Sequence, residues 1–335
     1  MSIGPEASIT DERSAPTDDP ADIRDTGEKA IAGRSLKQIA WRRLKRDKVA
    51  MAGGIVVIIF VILAILSPVL ARLWGHPINE FHNDTIDPTL STPKGAWGGI
   101  SKEFLLGVEP VSGRDIFTRI LYGAQTSLVV AVLAALVSTF LGSLFGLAAG
   151  YLGGWVDSVI SRVMDFLLAF PQLLFAIALV SVLPHEIFGM GGRWSRVLVL
   201  IVVIGFFGWP YIGRIVRGQT LSLREREFIE ASKSLGARAP RILFRELLPN
   251  LAAPILVYTT LIIPTNILTE AALSFLGVGI PPPNPSWGGM MSDALSYYTS
   301  DPMYMIIPGV MIFVTVLGFN LFGDGLRDAL DPKAR

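Results

Sequence analysis

The chain has 335 residues, 51% of them hydrophobic and only 17% charged, with 29 Lys or Arg against 28 Asp or Glu. A soluble domain carries about a quarter charged residues; here the charges cluster and leave uncharged runs able to cross a bilayer core about 30 Å thick, which places the chain among polytopic membrane proteins. It contains no cysteine, which excludes disulfides, thiolate catalysis and Cys-based metal sites.

Residues 1–35 are rich in Asp, Glu, Ser, Thr and Pro without an apolar period, and are expected to be a disordered cytoplasmic tail. The basic flank WRRLKRDK then leads into Val49–Ala71, 23 residues without a charge. A signal peptide's apolar stretch is only about 7–15 residues long, so residues 36–72 are expected to hold the flank and an uncleaved first transmembrane helix. Residues 73–119 follow as a loop. Ile120–Val156 is uncharged for 37 residues, too long for one straight span, and GYLGGW at Gly150–Trp155 predicts the end of the second helix. A third is expected over Ser158–Leu183, with Arg162 and Asp165 near its start as a paired structural charge. The fourth, fifth and sixth fall at Arg196–Arg217, Leu251–Phe275 and Pro302–Gly323. The core of five further spans thus covers 120–323, and 324–335 is a C-terminal tail.

Orientation follows the basic residues. Arg34–Lys48 holds seven Lys or Arg, and Arg217–Asn250 holds seven more. Gly277–Asp301 holds none, His185–Ser195 one, and the much longer stretch Arg72–Arg119 five. A six-span arrangement puts both rich segments on one side. That side, with both termini, is expected to be cytoplasmic, and 73–119 extracytoplasmic.

The insert EFIEASKSLGARAPRILFRELLPN, at 227–250 within a loop of 218–250, is charged and helix-patterned between apolar runs. Ser222 and Glu225 have the spacing of a capping box. Phe228, Ala231, Ser232 and Leu235 recur on one helical face. Gly236 suits a left-handed helix end, and Pro240 the first turn of a second helix reaching Pro249. From the residues alone, the shallow apolar stripe serves a groove on another protein or packing on the bundle end equally well.

Glu230-Ala231-Ser232, Gly236, Ile242 and Leu248-Pro249 together resemble the EAA motif of ABC importer permeases. Four further blocks, GRDIFTRILYGAQTSL, AGYLGGWVDSVISRVMDFLLAFP, PPPNPSWGGMMSDA and NLFGDGLRDALDP, are similar to oligopeptide/dipeptide permeases of the OppC/DppC type, as is the basic flank. The resemblance covers about residues 36–335. Departures are Ser232 for Ala, Glu246 where relatives often have His, Gly107-Val108-Glu109 for Gly-Thr-Asp, and a long loop over 74–104.

The resemblance implies an all-α integral membrane protein with six transmembrane helices and the type I ABC importer permease fold. It sits in the bacterial plasma membrane and carries a cytoplasmic coupling helix at about Leu223–Leu235. Glu230, Ala231, Ser232, Gly236, Ile242, Leu248 and Pro249 would serve coupling to the ATPase. The implied partners are a homologous second permease, two ABC ATPases, an extracytoplasmic solute-binding protein and membrane lipid, with no nucleic acid. The cargo would be di- or oligopeptides or related solutes, and the chain itself non-catalytic.

No G-x-x-x-x-G-K-[ST] occurs, so ATP and Mg are expected on partner ATPase chains, with no cofactor here. His76, His82 and His185 fall in predicted external loops and no metal site is assigned to them. Asp324 in FGDG superficially matches an intramembrane aspartyl protease but lacks a second span-borne aspartate. Glu270 and Asn266, polar residues within the fifth span, are read as lining of the translocation path, the alternative for Glu270 being a partner-subunit contact. Gly142, Gly146 and Gly150 repeat every four residues, a spacing that lets helix backbones approach, and are read as packing within the bundle. The rival from another class is an ATP-independent channel or ion-coupled secondary transporter, with Asp165 and Glu270 holding the ion; the ordered insert is unnecessary for it.

Overall fold

A computed structural model describes residues 36–183 and 192–330; the predicted tail, His185 and the residues after 330 lie outside these. The regular structure of the described residues is helical, with two isolated β-bridges and no strand. Helices α1 (Leu36–Arg46) and α2 (Lys48–Trp74) are split at Asp47, whose carboxylate accepts from the Val49 and Ala50 amides at 2.9 and 3.0 Å. That is an N-cap, and it restarts the helix at the edge of the apolar run. α2 ends at Gly75, which has φ +91°.

Helix α3 (Ile116–Leu152) begins ahead of the uncharged run, because Asp115 caps it by accepting from Phe117 and Thr118 at 3.3 and 2.9 Å. It is unbroken for 37 residues and stops at Gly153 (φ +67°), at the turn the sequence marks. At about 1.5 Å per residue it is longer than the bilayer core even when tilted. Its first turns accordingly sit among loop residues, where Arg119 donates to the Pro283 carbonyl at 3.0 Å.

The third span differs from the single helix expected over Ser158–Leu183. It is two helices, α4 (Gly154–Ala169) and α5 (Gln172–Val182), bent by 88°. Pro171 lacks an N–H and forces Phe170 into extended backbone (ψ 140°), which ends a helix. The pair still runs the length of α6 (Arg193–Arg224). Asp157 near the start of α4 grips Arg217 at 2.5 and 2.7 Å, while Arg196 donates to the Val180 carbonyl near the end of α5 at 3.1 Å. Positions 196 and 217 on one helix are about 32 Å apart, the depth of a hydrocarbon core. The bent pair is therefore a broken full crossing.

Two short helices, α7 (Glu227–Ser234) and α8 (Ala239–Arg241), follow α6. A π-helical turn over Ile242–Leu247 joins α8 without a break to α9 (Leu248–Phe275), then come α10 (Trp287–Ala294) and α11 (Met303–Leu330). The second insert helix and the fifth span, expected as separate, are thus one rod over Ala239–Phe275. Pro249 does not end it because the wider turn just ahead makes room for its ring. Among the described residues five helices are long and apolar enough to cross a membrane, and the bent pair supplies the sixth.

α3 and α6 form the seam of the bundle. A Cβ added at Gly142, Gly146 or Gly150 would lie 2.7, 2.6 and 2.7 Å from Ile212, Gly213 and Thr220. The glycine repeat therefore packs within the chain, and the two helices run parallel. α9 is antiparallel to α3, with Thr139 and Thr259 hydroxyls 2.9 Å apart and Asn266 donating to the Ala131 carbonyl at 3.2 Å.

The two ends are built differently. At one, α1 packs on the end of α11 through Leu44, Ala50 and Ala329, and Gln219, Pro254, Tyr258 and Arg327 surround one cavity, so both basic segments share this end. At the other, the loop after α2 folds on Ile86, Phe104 and Val108. Buried Trp287 donates its indole N–H to the Ile120 carbonyl at 3.2 Å and meets Phe60 edge-on at 5.8 Å. Buried Glu109 pairs with Arg119, binds Arg114 Nε at 2.6 Å and accepts from the Tyr304 hydroxyl at 3.0 Å.

Candidate coupling surface

The insert is positioned by α6, which runs into the expected capping box. Ser222 lies inside α6, and Glu225 ends it. Packing wins over the cap: Thr220 is fully buried and Leu223 joins the core, so the helix continues beneath them. Arg224 ties this end to α3 through the Gly150 carbonyl at 3.1 Å. α7 starts only after Arg226, which is extended and gives no side-chain cap. Glu227 and Glu230 in its first turn and Lys233 in its last suit the helix dipole, at about 0.3–1 kcal/mol each where exposed.

The C-terminus of α7 forms a Schellman motif. Gly236 N–H donates to Lys233 at 2.9 Å, Ala237 N–H to Ser232 at 3.0 Å, and Gly236 has φ +78°. A Cβ on Gly236 would meet nothing within 4 Å. The glycine is therefore required by its backbone angle and not by lack of room.

Ile229 is the one residue of α7 that is buried, in a cluster with Ile242, Leu247 and Leu251. On the other side the stripe read from the sequence points out of the protein. Phe228 is 39% exposed and Leu235 89%, Ala231 and Glu230 are exposed, and Ser232 is half-buried. Helical spacing says that these residues share a face and leaves open which way it looks; the fold turns it to the surface. Arg226, Arg238, Arg241 and Arg245, which flank it in sequence, are exposed as well.

The expected coupling set thus divides. Glu230, Ala231, Gly236 and Pro249 lie on the surface, Ile242 is buried as an anchor, and Ser232 and Leu248 are intermediate. Sequence reading missed Ile229, whose one-sided burial a period of 3.6 does not announce. It also mispaired the charges of the third span: Asp165 meets Arg214 at 2.7 Å, not Arg162.

Glu270 and Asn266, expected to line the translocation path, are enclosed here by the chain's own helices. Both are buried inside the chain, Asn266 against α3 and Glu270 accepting from the Ser274 hydroxyl at 2.7 Å. The face of α9 that carries them looks at α3 and α10.

Residues 142–335 match the family described as binding-protein-dependent transport system inner membrane component, and residues 35–91 match the N-terminal TM domain of oligopeptide transport permease C. The chain is 42% identical to the dipeptide transport system permease protein DppC of Alkalihalophilus pseudofirmus, covering 88% of this chain and 90% of that one. It is 38% identical to the oligopeptide transport system permease protein OppC of Bacillus subtilis, over 90% and 91%. It is 40% identical to the glutathione transport system permease protein GsiD of Pectobacterium atrosepticum, over 88% and 90%. Among solved structures, the inward-facing MetNI methionine ABC transporter has a chain that superposes with a TM-score of 0.50 at 18% identity, covering 64% of this chain and 98% of that one.

Proposed function

Because this chain belongs to the family of binding-protein-dependent transport system inner membrane components, and so is a permease subunit of an ABC importer, we propose that it carries peptides or related small solutes and is driven through α7. The support for cargo is the set of relatives named for dipeptide, oligopeptide and glutathione transport. The observation that carries the coupling role is α7 itself, an apolar ridge turned outward and held by one buried side chain. Such a ridge needs a partner groove, and the cytoplasmic ATPase subunit is the partner whose closure must be felt here.

In this reading ATP and Mg are bound by two ATPase chains, a homologous permease supplies the other half of the pathway, and an external binding protein delivers solute. The chain is a multi-span protein of the inner membrane, with both termini and α7 on the cytoplasmic side. Glu230, Ala231 and Gly236 meet the ATPase, and Ile229 and Ile242 pass the displacement inward. From there it divides between α6, joined through Arg224 to α3, and the Ala239–Phe275 rod, whose prolines 254 and 264 are sites where a helix bends. Rocking of these packed helices against the second permease is alternating access by rigid bodies.

The chain is free of cysteine, which makes the test direct. Leu235→Cys, labelled with a maleimide photocrosslinker in membranes holding the whole transporter, is expected to capture the ATPase subunit in a nucleotide-dependent way. Capture of lipid or of this chain alone would remove the docking role. Glu230→Arg is expected to abolish ATP-driven uptake while the protein still inserts.

A further inference from the structure

Three residues of the loop after α2 converge in a way their spacing does not advertise. His76 follows the left-handed Gly75; the chain then turns, with Glu80 N–H donating to the Pro77 carbonyl at 3.1 Å, and returns at His82 ahead of a 3-10 turn over Asn83–Thr85. One donor atom from each of His76, Glu80 and His82 lies within 4.8 Å of the others. The two imidazoles meet edge to face at 5.2 Å, and Phe104 packs on both, at 4.8 and 5.1 Å. Their backbones are pinned: the Thr118 hydroxyl donates to the His76 carbonyl at 3.2 Å, and the Thr85 hydroxyl to that of His82 at 2.6 Å. The His82 Nε2 is shielded from solvent and has no hydrogen-bond partner. Glu80 stands 3.8 Å from it, too far for a hydrogen bond and close enough to share a ligand.

We propose that His76, Glu80 and His82 bind one divalent first-row transition metal ion of the zinc type. Two imidazole nitrogens and one carboxylate oxygen are a donor set that zinc accepts with three protein ligands, leaving a fourth position for water or an incoming ligand. Calcium and magnesium prefer oxygen shells, and no thiolate is available to favour softer ions. The Phe104 contacts restrain both rings, and the pinned carbonyls fix the backbone that carries them. A bound ion would fasten the end of α2 to the following loop, at the end of the bundle opposite α7. The site is independent of the coupling reading, since none of its residues touches the insert.

The test uses the full chain, purified with a tag that contains no histidine and stripped with chelator. Zinc is titrated by calorimetry and cobalt by visible absorption, with bound metal counted by elemental analysis. One ion per chain and a tetrahedral cobalt spectrum are expected. His76→Asn with His82→Asn should lose binding, and Glu80→Gln should weaken it about 10-fold or more, the scale on which metal-site contacts act. Glu80 is exposed, so its variant keeps the test valid if the histidine variant misfolds. No binding to the wild type, or binding by both variants as tight as that of the wild type, overturns the proposal; the latter would place the ion elsewhere.

Discussion

The two ends of this bundle solve opposite problems. At the loop end, Glu109 is sealed among Arg114, Arg119 and Tyr304, and Trp287 is locked between α2 and α3. At the insert end, α7 rests on the single buried side chain of Ile229 and shows its apolar residues to the outside. At the first end these groups find their partners within the chain. The second is complete only when something covers it, and a part meant to be pushed has to be held lightly.

Substitutions can break or sharpen this contrast. Glu109→Ala leaves two arginines facing an emptied site, and removing one partner from a buried ion pair costs about 3–5 kcal/mol. The detergent-solubilised variant should melt at clearly lower temperature; an unchanged melting curve would mean the loop end is not held by its charges. Ile229→Ala falls in the range of about 2–5 kcal/mol for a buried isoleucine, but the loss should stay local. Hydrogen exchange should accelerate over 227–235 and hardly change in α3 and α6, and a global loss of protection would show that α7 is part of the core after all.

Smaller changes probe the same end. Gly236→Ala puts a side chain on a residue with φ +78°, costing about 1–2 kcal/mol; uptake should fall more than stability does. If Gly236→Asn, which tolerates that angle, fails to restore uptake, the Schellman turn is not what coupling needs. Leu235→Ser sits on the most exposed position and should alter stability by no more than about 0.5 kcal/mol. Its ATP-driven uptake should nonetheless drop, together with the yield of co-purified ATPase. Full uptake would make the ridge ordinary surface.

Much of the frame was readable because it depends on local rules. Charges bracket the spans, Gly153 stops α3, the glycine repeat marks the α3–α6 seam, and Gly236 marks the end of α7. What escaped depends on tertiary context. Ser222 and Glu225 have the right spacing for a cap, yet Thr220 and Leu223 hold α6 helical through Ser222 to Arg224. The Pro171 bend is written in the sequence, but hydropathy averages across it. A periodic stripe at Phe228 and Leu235 fixes a face without its direction, and nothing in the spacing of Glu270 and Asn266 says that they bond to Ser274 and Ala131 inside the chain.

The parallel course of α3 and α6 has a consequence for how the protein is made. Neighbouring hairpin helices can pair as soon as the second leaves the ribosome, whereas this seam joins segments separated by a whole broken crossing. Gly142, Gly146 and Gly150 therefore enter the bilayer facing lipid and meet Ile212, Gly213 and Thr220 only after α4, α5 and α6 have all been threaded. This close seam cannot form until α6 has been made, so biogenesis passes through a stage in which an open glycine groove waits in the membrane for its partner.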